Sequence, residues 1–494
     1  MSRYGNRASL LNRYHMCTME RKRGQIIIQV IIFATLAIIV VGGLVQWASI
    51  QIKATHRLVV KERAFVVAEA GIEYYRWHLA HAAQDFQDGT GGGGPYVHDY
   101  YDKDGNHIGK FSLTITAPPI GSTLVTILVD GWADADPTIH RKIRAQMGKP
   151  SWAKYSSVSN AVVWFGSTEE TFGPVHSNTG VRFDGIAHNL VTSATDKFTD
   201  PSHGGAQEFG VHTHNPIDPL PPSGSVTDAN APARPTVFLA GRSFPTAPAD
   251  FTGLSATLST LKMNAGKDFA PSGAQGYHMV LKTDNTYDVY KVTALVASPS
   301  GSCKNSQNET RWGLWSIKTE TPLAPKNYVI PANGIVFFED NVWVDGQINT
   351  SRVTVASGKF PETMGTNTSI IVNGNLQYTN FDGRDVIGLF AQGDVKIGLK
   401  SPDTMTFDAA MIAKNGATLR NYYSSSCGPE YVRTKVTFFG MQATYTQGYF
   451  SWGTNVSGYN TQITSYDSNL LLAPPPSFPL TTNQYSTLSW EEIK

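Results

Sequence analysis

The residues best equipped for chemistry are histidines. His176, His188, His203, His212 and His214 fall close together in the chain. In Val211-His212-Thr213-His214-Asn215 an extended backbone would turn both imidazoles to one face, about 6–7 Å apart at a rise of ~3.3 Å per residue. Neutral imidazole nitrogens bind Zn²⁺ or Cu²⁺, and His203 or Asp218 would supply a third ligand. The bland reading is a solvent-facing pair in a polar loop, which needs no ion. The overall expectation is no cofactor, with His212, His214 and His203 as the metal candidates.

Carboxylates give a second possibility. Asp382 and Asp385 flank Arg384, and Glu169 adjoins Glu170. Enzymes that cleave polysaccharides use carboxylate clusters with a basic partner in a groove. Both pairs sit in turn-like contexts, where such groups more often cap backbone. The chain holds no G-x-x-x-x-G-K, H-E-x-x-H or G-x-S-x-G pattern. Asp102, Asp104 and Asn106 have the spacing of a calcium loop, but His107 replaces the required glycine and Leu113 the closing glutamate. A hairpin turning at Asp104-Gly105 is the better reading. No enzyme is expected.

Other groups are less specific. Phe438, Phe439, Tyr445, Tyr449, Phe450, Trp452 and Tyr459 crowd together, to stack sugars or, more simply, to pack a core. Asn308-Glu309-Thr310 is a bare glycosylation sequon. Cys17 precedes the long apolar run. Cys303 and Cys427 follow it in Ser-rich loops, as a disulfide or as two free thiols. The net charge is +1 with 16% charged residues, which offers no basic face for nucleic acid.

The elements that must position these groups begin with an anchor. Residues 26–52 read IIIQVIIFATLAIIVVGGLVQWASIQI, without a charge. About 20 apolar residues suffice to cross a bilayer core. Arg3, Arg7, Arg13, Arg21, Lys22 and Arg23 precede the run, which places that end in the cytoplasm and the body outside. A cleaved signal peptide would be shorter and would end at a small-x-small site. Here the run continues through 53–83 without proline. Val59, Arg63, Val66, Ala70 and Glu73 recur at helical spacing, as do Leu58, Phe65, Ile72 and Leu79. The pattern predicts one helix over 25–83, on the order of 85 Å long at ~1.5 Å per residue.

Three features together resemble the type IV pilin class, and within it the PilX-like pilus-assembly proteins. They are Arg21-Lys22-Arg23-Gly24 before the apolar run, the branched aliphatics from Ile26 onward, and Arg63-Ala64-Phe65-Val66-Val67-Ala68-Glu69-Ala70-Gly71-Ile72-Glu73 after it. They cover about the first 80 residues. The resemblance implies a leader cut by a prepilin peptidase between Gly24 and Gln25, and assembly with other pilins through a membrane-embedded helix. The chain departs from that pattern at Gln25, where a phenylalanine is usual, and at Gln29, where a glutamate is usual. Gln29 can hydrogen-bond but cannot neutralise a neighbour's N-terminal amine. The departure points to a minor component.

The body reads as mainly β. Residues 84–96 form a Gly-rich hinge expected to separate helix from head. A small β head follows over 84–148, with strands at 109–117, 124–133 and 138–147. A mixed β-rich domain is expected over 149–326. It contains Gly173-Pro174-Val175-His176-Ser177-Asn178, similar to a segment of pilus-associated surface proteins, and an amphipathic helix over 249–265. In the third unit, 327–494, apolar runs followed by Gly/Asn/Asp turns recur at roughly 20–35 residues, within the range of solenoid coils. The pattern predicts a β-helix-like stack over 329–449, with generic hairpins as the alternative.

The fold class expected is therefore α+β: a long membrane and amphipathic helix, a mainly β body, and a solenoid-like C-terminal third. The function expected is that of a non-catalytic, PilX-type surface protein. It would sit in the cell membrane as a single-pass protein with the lipid bilayer, the peptidase and other pilins as partners. The alternatives are an anchored adhesin or carbohydrate-binding solenoid, and an anchored β-helix enzyme acting on polysaccharide.

Overall fold

A computed structural model describes residues 20–118, 122–167, 169–299, 301–303, 305, 315–363 and 365–493, with backbone alone for 20–24 and 202. The leader through residue 19, with Arg3, Arg7, Arg13 and Cys17, lies outside the described residues, as does the Asn308 sequon.

Helix α1, Glu20–His81, is a single element of 62 residues. It has no proline and is long and apolar enough to cross a membrane. Every residue from Gln25 to Val59 is exposed. Burial starts at Val60 and follows Ala64, Val67, Ala68, Ile72, Tyr75 and Leu79, the 3–4 spacing of one helix face. That face includes Ile72 and Leu79 of the stripe expected through Leu58 and Phe65, and Phe65 packs beside it. The stripe expected through Val59 and Val66 is not buried, and Leu58, Val59 and Val66 remain exposed. The buried face is lined by small residues, Ala64 and Ala68, near its start.

The buried face lies on an antiparallel sheet. Its strands are β1 (Tyr96–Tyr101), β2 (His107–Thr116), β3 (Val125–Ala133) and β4 (His140–Gly148), paired in chain order. Phe111, Leu113, Val125, Ile127, Val129, Ile143, Ala145 and Met147 alternate toward the helix and close a shared core. The hairpin at Asp102–Asn106 forms as expected: Asp102 Oδ1 accepts from the Asp104 and Asn106 amides. The segment after the helix is not a separating hinge. Tyr75 Oη donates to the Asp85 carbonyl at 3.0 Å, and His98 Nε2 lies 2.6 Å from the buried Asp88 carboxylate. These contacts tie residues 85–88 to the helix and the sheet, while residues 89–95 stay exposed.

A fifth strand completes this sheet from far away in sequence. Ser486–Ile493 pairs antiparallel with β4, carrying Glu491 onto Arg144 at 2.6 Å and Glu492 onto Arg141. The division of the body at 327–494 is therefore corrected, because its last strand belongs to the first sheet. Everything between β4 and that strand is an insertion.

The insertion is built on parallel pairing. One ladder runs through Lys267–Phe269, Ile335–Phe338, Arg352–Ser357, Val386–Ala391, Thr404–Ala413 and Val432–Thr444. It continues into Ser157–Ser159, Val175–Ser177, Val191–Ser193 and Arg242–Ser243. A second ladder joins Gly276–Leu281, Val342–Ile348, Ile370–Ile371, Val395–Ile397 and Thr418–Arg420. The pairings cross the division drawn at 326/327, so no boundary stands there. Parallel stacking also reaches well before 329, through 157–243. The short strands of two or three residues in that region carry too little periodicity to read from sequence.

Both faces of the first ladder are buried, as parallel strands require. Val336 and Phe338 enter one core with Val353, Val355, Leu389, Met411 and Phe438. Ile335 and Phe337 enter a second with Ala356, Phe390, Ile412 and Met441. Helix α2, Leu254–Met263, covers that second face with Leu254, Leu258 and Leu261. Buried side chains of this size contribute ~1.5–3 kcal/mol each. Cys303 and Cys427 are joined in a disulfide across 124 residues, packed against Leu399 and Tyr423.

Candidate functional site

Two regions answer to the candidate residues, the start of α1 and a histidine–carboxylate cluster. At the first, the Gly24–Gln25 bond lies in the helical backbone, and Gln25 and Gln29 are exposed with the rest of the apolar run.

The cluster is assembled by short strands. Val211–His212 pairs parallel with Val181–Phe183, which sets His212 opposite Arg182. Lys197–Thr199 pairs antiparallel with Gln207–Phe209, and the turn between them carries Asp200 and His203. The hairpin thus brings Asp200, His203 and Glu208 to His212 and His214. His214 is fixed by its backbone amide, which donates to Asp184 Oδ1 at 2.7 Å.

Two triads result, and they share His214. Asp200, His212 and His214 form one; His203, Glu208 and His214 form the other. Within each, one donor atom per residue lies within 4.8 Å of the others. His212 Nε2 is 3.2 Å from Asp200 Oδ2, and His214 Nε2 is 4.0 Å from the same oxygen. His203 Nδ1 contacts Glu208 Oε1. The His214 ring lies 4.6 Å from the His203 ring and 5.2 Å from the His212 ring, centre to centre. Asp200, Glu208 and His212 are at most 1% exposed.

The electrostatics favour the neutral form of His212 and His214. Burial pushes the His212 pKa down to about 4, against the pull of Asp200. Burial lowers His214 as well, with Arg182 acting in the same direction. Arg182 Nη1 stands 3.7 Å from Asp200 while the same guanidinium holds Asp184 at 2.7 Å. A neutral imidazole in this setting offers a lone pair, the form that binds a metal.

The expected partner Asp218 is not part of the cluster. Its carboxylate receives Arg234 Nε at 2.8 Å, Arg242 Nη1 at 2.5 Å and the Thr213 amide at 3.2 Å. Asp200 and Glu208 take its place. Sequence reasoning misses both, because a turn and a cross-strand pairing bring them in. Their spacing around His203 is the only local signal.

The other candidates have structural roles. His176 is buried between Thr192 Oγ1 at 2.9 Å and Asn178 Oδ1 at 3.1 Å. Asn178 clamps the segment before α2, giving Nδ2 to the Ala249 carbonyl and taking the Ala249 amide. The Gly173–Asn178 segment is thus a tie between the stack and its covering helix. His188 stacks on Phe172 and meets Glu170 at 2.5 Å. Asp385 is buried and accepts from the Ser351, Thr379 and Asn380 amides at 2.7–3.0 Å. Asp382 is exposed and pairs with Arg384. Among the crowded aromatics Phe438, Phe450 and Tyr459 are core residues.

Comparison with known proteins adds a structural likeness. No protein-family model matches the chain, and no curated protein matches it. Among solved structures, the crystal structure of the competence-associated pilin ComZ from Thermus thermophilus aligns with 88% of this chain and 98% of that chain. The identity is 13% and the TM-score 0.29. A likeness at that score carries no argument about fold or function.

Proposed function

We propose that this chain is a pilin-type, PilX-like surface protein, anchored by α1 and acting in type IV pilus assembly or as a minor pilus component. The observation that carries the reading is the division of labour along one 62-residue helix. Its first half is bare and apolar, and its second half is the spine of an antiparallel head. A helix of that kind can pass its exposed half between a bilayer and the centre of a fibre while its head stays folded.

In this reading the basic residues before Gly24 stay in the cytoplasm and the body is extracytoplasmic. Prepilin peptidase cuts between Gly24 and Gln25. Gln29 then offers an amide where a charge-neutralising glutamate is usual, which suits a component present in few copies. The parallel ladders of the insertion form a β-solenoid displayed from the head. The protein is non-catalytic, a reading supported by the use of Asp385 as a backbone tie and by the solvated pairing of Asp382 with Arg384.

N-terminal sequencing of the protein extracted from membranes tests the reading. A chain starting at Gln25 is the expected result. An intact leader would leave a simple single-pass protein and end the pilin reading.

A further inference from the structure

We propose that the cluster centred on His214 binds one divalent transition-metal ion of the zinc class. The inference is independent of the pilin reading, since it concerns the insertion alone.

The first argument is unmet bonding. Glu208 is 1% exposed, yet its Oε2 has no hydrogen-bond partner among the described residues. The same holds for the buried His214 Nε2 and His212 Nδ1. A buried carboxylate oxygen without a donor is costly, because desolvation is not offset. Three such atoms in one small cluster point to something that accepts lone pairs. A cation between His214 and the flanking acids satisfies both Glu208 Oε2 and His214 Nε2.

The second argument is spacing. Zinc bonds of ~2.0–2.1 Å in a tetrahedral shell place neighbouring donor atoms about 3.3 Å apart. The separations of 3.2 and 4.0 Å around Asp200 Oδ2 approach that value. His214 is common to both triads, so a single ion bound there draws its remaining ligands from Asp200 and His212, from Glu208 and His203, or from a mixture.

The third argument is charge and ligand type. The cluster carries the carboxylates of Asp200 and Glu208, and the Arg182 guanidinium beside it divides itself between Asp200 and Asp184. Imidazole-rich sets favour zinc-class ions, whereas calcium and magnesium want shells of oxygen. The half-buried edges of His203 and His214 leave a path for an ion to enter.

The test uses the untagged full-length protein in detergent, stripped with a chelator and titrated with Zn²⁺ alone by calorimetry. One ion per chain is expected, with Co²⁺ at the same site giving visible absorption of a four-coordinate ion. His214→Gln should weaken binding by about 100-fold, and at least one of Asp200→Asn and Glu208→Gln by about 10-fold or more. His188→Gln, a histidine outside the cluster, should bind like the parent. Metal-free thermal melts establish that each variant is folded. Absence of saturable Zn²⁺ uptake by the parent chain overturns the proposal, and so does equal uptake by folded His214→Gln.

Discussion

A Cβ placed on Gly131 would stand 2.5 Å from the Ala68 amide nitrogen and 2.7 Å from the Ala64 carbonyl oxygen. Helix α1 and strand β3 therefore meet backbone to backbone at Gly131, and Gly71 makes room for the Val129 and Phe111 side chains. The small residues after the membrane run are there for contact with the sheet. Gly131→Val would push the helix off its bed. Overpacking of this kind costs about 1–3 kcal/mol and often more against backbone. Urea unfolding followed by fluorescence should show the loss, and Gly92→Val, in the exposed Gly-rich segment, should show little.

The edge strand Ser486–Ile493 gives a second contrast. The Arg144–Glu491 pair is about half exposed on both sides. Such pairs are worth ~0–1 kcal/mol, so Glu491→Gln should leave the melting temperature nearly unchanged. Deleting 486–493 is a different matter, because it bares the whole edge of β4 to other chains. Light scattering should report aggregation of the deletion variant under conditions where Glu491→Gln stays dispersed.

His278 links stability to pH. It is half-buried, with Nδ1 2.8 Å from Glu320 and Nε2 3.1 Å from Asp345. Burial alone would lower its pKa, but hydrogen bonds to Asp345 and Glu320 outweigh it and hold the value up at about 9, above the ordinary 6.5. The folded state thus binds this proton more tightly than the unfolded state. The stabilisation is fully present below pH 6.5 and is lost as pH rises through about 9. Each tenfold gain in proton affinity is worth ~1.4 kcal/mol, so the whole effect is about 3 kcal/mol. Stability relative to His278→Gln should decline across that window. A constant difference between the two proteins would contradict the assignment.

Asp385 and Asp382 should behave oppositely. Asp385→Ala removes the carboxylate that accepts from the Ser351 and Asn380 amides and leaves the Thr379 amide with the Ile348 carbonyl alone. The expected cost is about 3 kcal/mol. Asp382→Ala removes an exposed pair with Arg384 and an exposed bond from the Arg384 amide, and should change stability by under ~0.5 kcal/mol. Chemical denaturation of the two variants side by side decides. Equal effects would mean that Asp385 is not a structural tie.

The disulfide closes a long loop, with Cys303 and Cys427 separated by 124 positions in sequence. Restricting the unfolded chain over such a loop stabilises by about 3–5 kcal/mol. Cys303→Ser should lower the midpoint of unfolding accordingly, and reductant should then have no further effect on the variant.

The sequence by itself determined the elements whose signals are local. The apolar run of α1 declares itself by composition, since nothing but lipid or another apolar surface can solvate 27 consecutive uncharged residues. The antiparallel strands 107–148 were legible because period-two alternation is written in each strand separately. His212 and His214 were legible as a pair for the same reason.

Tertiary structure decided everything that depends on partners distant in the chain. The buried face of α1 followed Ala64 and Ala68 rather than the larger Val59 and Val66, because close approach to Gly131 outweighs the size of any one side chain. Ser486–Ile493 joined β4 because an open sheet edge takes whichever strand is delivered to it, and no local pattern names that strand. Asp200 and Glu208 reached His214 through a hairpin turn and pairings of two or three residues, too short to carry periodicity, and Asp218 was drawn away by Arg234 and Arg242. Local propensity chose the elements, and long-range burial and charge pairing chose their neighbours.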